Sequence, residues 1–152
     1  MQGTIVGPPA DSVAGKSGFN EIATAEQFNL AYPNTCIVST VSNVSKNEEL
    51  TRRIMKAMVE GIHFFKTQKE ASQKSLDAFA RLGDVSLIDE TYRHYQDMIP
   101  RVPYPDLTGI QNVLNEIAKK DAKVKGLKPE TFADARLLKE LEASGLVQKL
   151  YR

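Results

Sequence analysis

The chain has 152 residues, enough for one ordinary domain with a single core and too few for two. Hydrophobic residues make up 41% and charged residues 26%, a globular balance that excludes a disordered chain. The formal net charge of +1 leaves no general electrostatic case for a nucleic-acid or anionic-membrane partner.

Residues 1–44 are punctuated by Gly and Pro and hold two short β-type runs, Thr4-Ile5-Val6 and Cys36-Ile37-Val38-Ser39-Thr40-Val41. No basic region followed by an apolar stretch opens the chain, so no signal peptide is expected, and the sequence reads as one that starts partway into a fold. Asp11 to Lys16 fits a short helix ending at Gly18, and Tyr32-Pro33-Asn34-Thr35 fits a turn feeding the second strand. Two isolated short strands need partners for their backbone edges, and the sequence offers few. Cys36 is the only cysteine, which forbids an internal disulfide and any cysteine-based metal site. Between Thr35 and Ile37-Val38 it reads as a buried strand thiol acting as a small hydrophobe. Lys16 against Asp11, Glu21 and Glu26 gives this zone a net charge of −2, and the remainder carries +3.

From Ser45 the apolar period becomes helical. Ser45 or Asn47 can cap a helix, and Ser45 with Glu48 fits a capping box. Leu50, Ile54, Met58, Ile62 and Phe65 then define one apolar face, with Arg52, Arg53, Lys56 and Glu60 opposite. A second helix is expected over about residues 69–82 with Ala71, Leu76 and Phe79 inward. A third follows Asp84 as cap, with Ile88, Tyr92, Tyr95 and Ile99 inward. Pro100, Pro103 and Pro105 then fix a segment through which no helix can run. Beyond it, Leu107, Ile110, Leu114 and Ile117 mark a fourth helix ending near Lys120. A fifth starts at Pro129, presents Phe132, Leu137, Leu138 and Leu141, and is capped by Gly145, with a short final turn after it. No apolar run reaches the length of a transmembrane helix. Five such segments predict a helical content above about 40%.

Catalytic constellations are missing from the sequence. His63 and His94 lie on predicted helices without metal-ligand spacing and read as surface or boundary residues. The nine glycines form no phosphate-binding loop. Glu48-Glu49 and Asp89-Glu90 are sequence neighbours that point apart on a helix, so neither is a catalytic pair. The basic stretch Lys119, Lys120, Lys123, Lys125 and Lys128 contains no aromatic residue to stack on a base and reads as a solvated loop. One segment admits a binding role: Gly7-Pro8-Pro9-Ala10 joins a predicted strand to a helix start, where free N–H groups and the helix dipole favour an anion. A plain connecting turn is the competing reading.

Several motifs, in order, resemble the nitrate/sulfonate/taurine type of ABC-transporter substrate-binding protein, a family that includes thiamine-precursor binders. They begin with Gly7-Pro8-Pro9-Ala10 and Gly18-Phe19. Tyr32-Pro33-Asn34-Thr35, Asn47-Glu48-Glu49-Leu50-Thr51-Arg52-Arg53 and Val59-Glu60-Gly61-Ile62-His63-Phe64-Phe65-Lys66 follow. Pro100-Arg101-Val102-Pro103-Tyr104-Pro105, Leu107-Thr108-Gly109-Ile110-Gln111, Phe132-Ala133-Asp134 and Leu138-Lys139-Glu140-Leu141 complete the set. Each is weak alone, and their order along nearly the whole chain carries the resemblance.

The resemblance implies an α/β fold, the C-terminal portion of a type II periplasmic binding protein, helix-rich with a few short N-terminal strands. Residues 1–44 would end the second lobe and cross the hinge, and residues 45–152 would return to the first lobe. The implied function is capture of a small anionic or heterocyclic solute for ABC permease subunits in the periplasm or at the cell surface. No catalysis, metal or cofactor is implied, nor insertion of this chain into a membrane. Gly7, Pro8, Pro9, Ala10, Tyr32 and Asn34 are the implied ligand-binding residues. Two departures bear on the ligand. Pro8 stands where amine-binding members similar to the taurine receptor carry an acidic residue, and Val41 stands where relatives often carry a basic one. Fungal pyrimidine-precursor synthases share the fold and use pyridoxal phosphate, but they carry a cysteine-rich motif and this chain has Cys36 alone. A helical protein-interaction module over residues 45–145 is the other alternative.

Overall fold

The computed structural model describes residues 3–28, 30–33 and 35–152. Helices and helical turns hold 63% of the described residues, and there is no strand among them. The expected α/β class is therefore corrected to an all-helical one. The physical reason lies in the two β-type runs. Residues 3–6 and 36–40 meet no backbone edge in a ladder, and a short strand without one does not form. The end of the second run goes to a helix instead. Thr40 is the N-cap of the helix Val41–Lys46, and its Oγ1 accepts from the Asn43 N–H at 3.1 Å.

In chain order the helices are α1 (Ala10–Lys16), α2 (Val41–Lys46), α3 (Glu48–Thr67), α4 (Lys69–Ala80), α5 (Val85–Met98), α6 (Leu107–Ala118), α7 (Arg136–Ala143) and α8 (Leu146–Leu150). Short 3₁₀ turns cover Glu26–Phe28, Ala122–Val124 and Pro129–Phe132. The expected capping box at Ser45 is absent, because Ser45 lies inside α2 and Asn47 ends it. The Asn47 carbonyl then accepts the Thr51 N–H at 2.9 Å as α3 begins.

The chain forms two compact units. One comprises residues 1–24 and 61–101, and the other residues 25–60 and 102–152. In the first, α4 packs against α5 over Leu87, Ile88 and the almost fully buried Tyr92. The last carbonyls of α3 have no helical partner and are taken by side chains. Phe65 O accepts from Tyr92 Oη at 3.1 Å and from Ser72 Oγ at 3.3 Å, and Lys66 O accepts from Gln96 Nε2 at 3.3 Å. Those bonds explain why a serine, Ser72, is buried on α4. Asp84 caps α5 as expected, accepting from Ser86 N at 2.8 Å and Leu87 N at 3.2 Å. α1 is fastened to α5 by Tyr95 Oη donating to Pro8 O at 3.0 Å, Ser12 Oγ donating to Glu90 at 2.6 Å and Lys16 pairing with Asp84 at 3.2 Å.

In the second unit Val59, Leu114, Leu137, Leu138 and Leu141 are buried. α6 packs on the turns Ala122–Val124 and Pro129–Phe132, and α7 packs on α8 through Gly145, whose φ of +78° makes the reversal. The expected α3 face fails at its first two positions: Leu50 and Ile54 are 52% and 43% exposed, Met58, Ile62 and Phe65 are half-buried, and the wholly buried residue is Val59. Ala71 and Phe79 of α4 are likewise exposed rather than inward. Cys36, expected as a buried strand thiol, is exposed.

Candidate functional site

The turn Gly7–Ala10 was the sequence's candidate for an anion. Pro8 and Pro9 carry no N–H. The Ala10 N–H donates to Gly7 O at 2.9 Å, the Val13 N–H to Pro9 O at 3.3 Å, and the Ser12 N–H to Asp11 Oδ1 at 2.8 Å. α1 has only seven residues, and a carboxylate, Asp11, stands in its first turn. A helix start with engaged N–H groups and its own negative charge offers an anion little. The turn is held on its other side by the bond from Tyr95 to Pro8 O. The Pro8–Pro9 peptide is cis.

Tyr32 belongs to the other unit, and Asn34 lies outside the described residues. Tyr32 is 62% exposed, and its neighbours Ala31 and Pro33 both meet α6. Asn112 Nδ2 donates to Ala31 O at 2.8 Å. Pro33 occupies the space above Gly109, where a Cβ would lie 2.9 Å from Pro33 Cδ and 3.1 Å from Pro33 N. α6 itself is started by Asp106, whose Oδ1 accepts from the Thr108 N–H at 3.0 Å. Thus Tyr32-Pro33 and Leu107-Thr108-Gly109, separate motifs in the sequence, form one structural piece. Asn112 escaped the sequence reading, and Gly109 figured in it only as part of a motif, without a role. The available signal was their residue type, since Asn and Gly are both poor helix formers in the middle of an apolar-periodic segment.

The charged clusters are occupied with one another. Across α3 and α7, Arg136 meets Glu48 at 3.1 Å, Arg52 meets Glu48 at 3.4 Å, and Arg52 also pairs closely with Glu140. The Glu140 hydrogen bond, followed by the nearby carboxylates, raises the Arg52 pKa, and Glu48 does the same for Arg136. In the other unit Asp89 accepts from Lys69 at 2.7 Å and from Gln73 at 2.9 Å, and it pairs with Arg93 at 2.5 Å. The Lys69 bond, with the Arg93 charge, holds the Asp89 carboxyl below its ordinary range. Tyr104 donates to Glu142 at 2.6 Å, which raises its own pKa. No group of His, Cys, Asp and Glu among the described residues could hold a metal ion, and His63 and His94 sit half-buried on α3 and α5. Among the described residues no helix is long and apolar enough to cross a membrane. A shallow apolar hollow between α3 and α4 is lined by Gly61, Phe64, Phe65, Leu76 and Phe79.

No protein-family model, curated protein or solved structure matches this chain.

Proposed function

We propose that this chain is part of the solute-capture component of an ABC importer, a non-enzymatic protein that binds a small molecule for its permease outside the cytoplasm. The order of motifs along the sequence supports this reading. The observation that carries it is the uncovered apolar character of two non-helical segments. In one unit Ile5 is 100% exposed, and in the other Ile37 and Val38 are 57% and 87% exposed. Burying such a side chain is worth about 1.5–3 kcal/mol. Several left in water on irregular backbone call for further polypeptide that covers them. On this reading the solute site is completed by groups outside the 152 residues.

Low-affinity calorimetric titration of this chain with nitrate, taurine and uracil tests the proposal. A partial wall encloses little of a ligand, so a dissociation constant of about 1 mM or weaker is expected for at least one of them, near −4 kcal/mol. Micromolar binding would mean the site is complete here.

A further inference from the structure

We infer that α1 is a releasable strap. It lies antiparallel to α5 on a line of three polar bonds, lifts away while α4 and α5 stay packed, and does so more readily as ionic strength rises.

Three residues spaced by four meet three residues of α5 in reverse order. Pro8 O accepts from Tyr95 Oη at 3.0 Å, Ser12 Oγ donates to Glu90 Oε1 at 2.6 Å, and Lys16 Nζ pairs with Asp84 Oδ2 at 3.2 Å. That spacing puts Ser12 and Lys16 on one face of α1, and Pro8 continues the line just before the helix. Apolar burial adds little to the attachment. α1 buries no residue, and its Val13 is 47% exposed.

The three bonds differ in kind. In the Lys16–Asp84 pair both side chains are about half in water, where salt screens the attraction. The Ser12–Glu90 bond is exposed too, so water competes for both groups. The Tyr95–Pro8 bond is partly buried and uncharged, and salt leaves it in place. A helix of seven residues does not persist alone in water, so α1 loses its internal bonds once it leaves α5. α5 keeps supports of its own. Asp84 caps it through the Ser86 and Leu87 N–H groups. Tyr92 is buried, with its ring centre 5.1 Å from that of Phe65 and its hydroxyl on Phe65 O. An element held by few exposed bonds beside one held by a buried core opens locally.

Hydrogen exchange of the whole chain, followed at single amides by NMR, tests this. The Val13, Ser17 and Phe19 amides donate to Pro9 O, Val13 O and Ala14 O, so they report whether α1 is formed. In the parent they should exchange at least fivefold slower than in an unstructured chain, yet at least a hundredfold faster than the Tyr92 amide. Sodium chloride at about 1 M should speed them at least threefold and leave Tyr92 within twofold. Tyr95→Phe and Lys16→Met should each speed them at least threefold, again without moving Tyr92, and Lys16→Met should abolish the salt effect. Both variants keep the apolar part of the side chain, and the Tyr92 amide in the same spectra reports on the fold. Exchange of the α1 amides at the Tyr92 rate would overturn the inference, because α1 would then open only with the core. Full exposure of those amides in the parent would overturn it as well, because nothing would then hold α1 on α5. An equal salt response of α1 and Tyr92 would overturn the control by ionic strength.

Discussion

The ring of Pro33 fills the space that a side chain at Gly109 would need. A Cβ on Gly109 would stand 2.9 Å from Pro33 Cδ and 2.7 Å from Asp106 Oδ2, inside any normal contact distance. Asp106 is the cap of α6, so relief by moving its carboxylate would disturb the helix start. Gly109→Ala is expected to destabilise the protein by about 1–3 kcal/mol through overpacking. Gly61→Ala is the control. It lies within α3 with no atom within 4 Å of the new methyl, and it should be neutral or stabilising by up to about 1 kcal/mol. Urea unfolding of the two variants should give shifts of opposite sign, and a stabilised Gly109→Ala would refute the close approach.

Burial along α3 separates two apolar positions that the sequence period does not. Val59 is wholly buried and Ile54 is 43% exposed. Val59→Asp places an unpaired charge in the core and should cost about 3 kcal/mol or more. Ile54→Asp should stay within about 1 kcal/mol of the parent. Thermal melts of both variants check the face, and the reverse order would restore the Leu50–Ile54–Met58 stripe as the inward one.

Asp84 makes stability depend on pH in one direction. The Leu87 N–H, then Lys16 and the Ser86 N–H, hold its carboxyl below the ordinary 3.8. A lowered folded value means that the ionised form stabilises the fold. This contribution is complete above the unfolded pKa of about 3.9 and is lost as pH falls through the lower folded value. Asp84→Asn keeps an acceptor for the cap and removes the charge. Its melting temperature should lie below the parent's at pH 7, and the gap should close as the pH drops below about 4. A gap that persisted at the lowest pH would assign the loss to amide geometry rather than to charge.

Features decided within a few residues were legible in the sequence. Asp84 as a cap, Gly145 as the left-handed reversal and the α1 stop before Gly18 all follow from local chemistry. The long helix starts at Glu48, directly after Asn47, one of the two caps the sequence offered, whereas the short helix Val41–Lys46 before it went unread because its cap, Thr40, closes a run of strand composition. The Cys36–Val41 run has strand composition, but composition cannot supply the partner that a strand requires. On α3 the period could not tell that Leu50 and Ile54 stay exposed while Val59, off the expected stripe, is the residue that long-range packing buries. For the candidate site, Gly7–Ala10 could be picked as a connection into a helix start, while Tyr32 entered only through the family resemblance. The bond from Asn112 to Ala31 spans 81 positions, and nothing local announces it.

The most direct measurement is uptake of labelled solute by cells of the source organism with the gene disrupted and then restored. The account predicts that disruption lowers uptake of at least one of nitrate, taurine and a pyrimidine at least tenfold, and that the intact gene restores it. Unchanged uptake of pyrimidines, taurine and nitrate alike in the disrupted cells would contradict it.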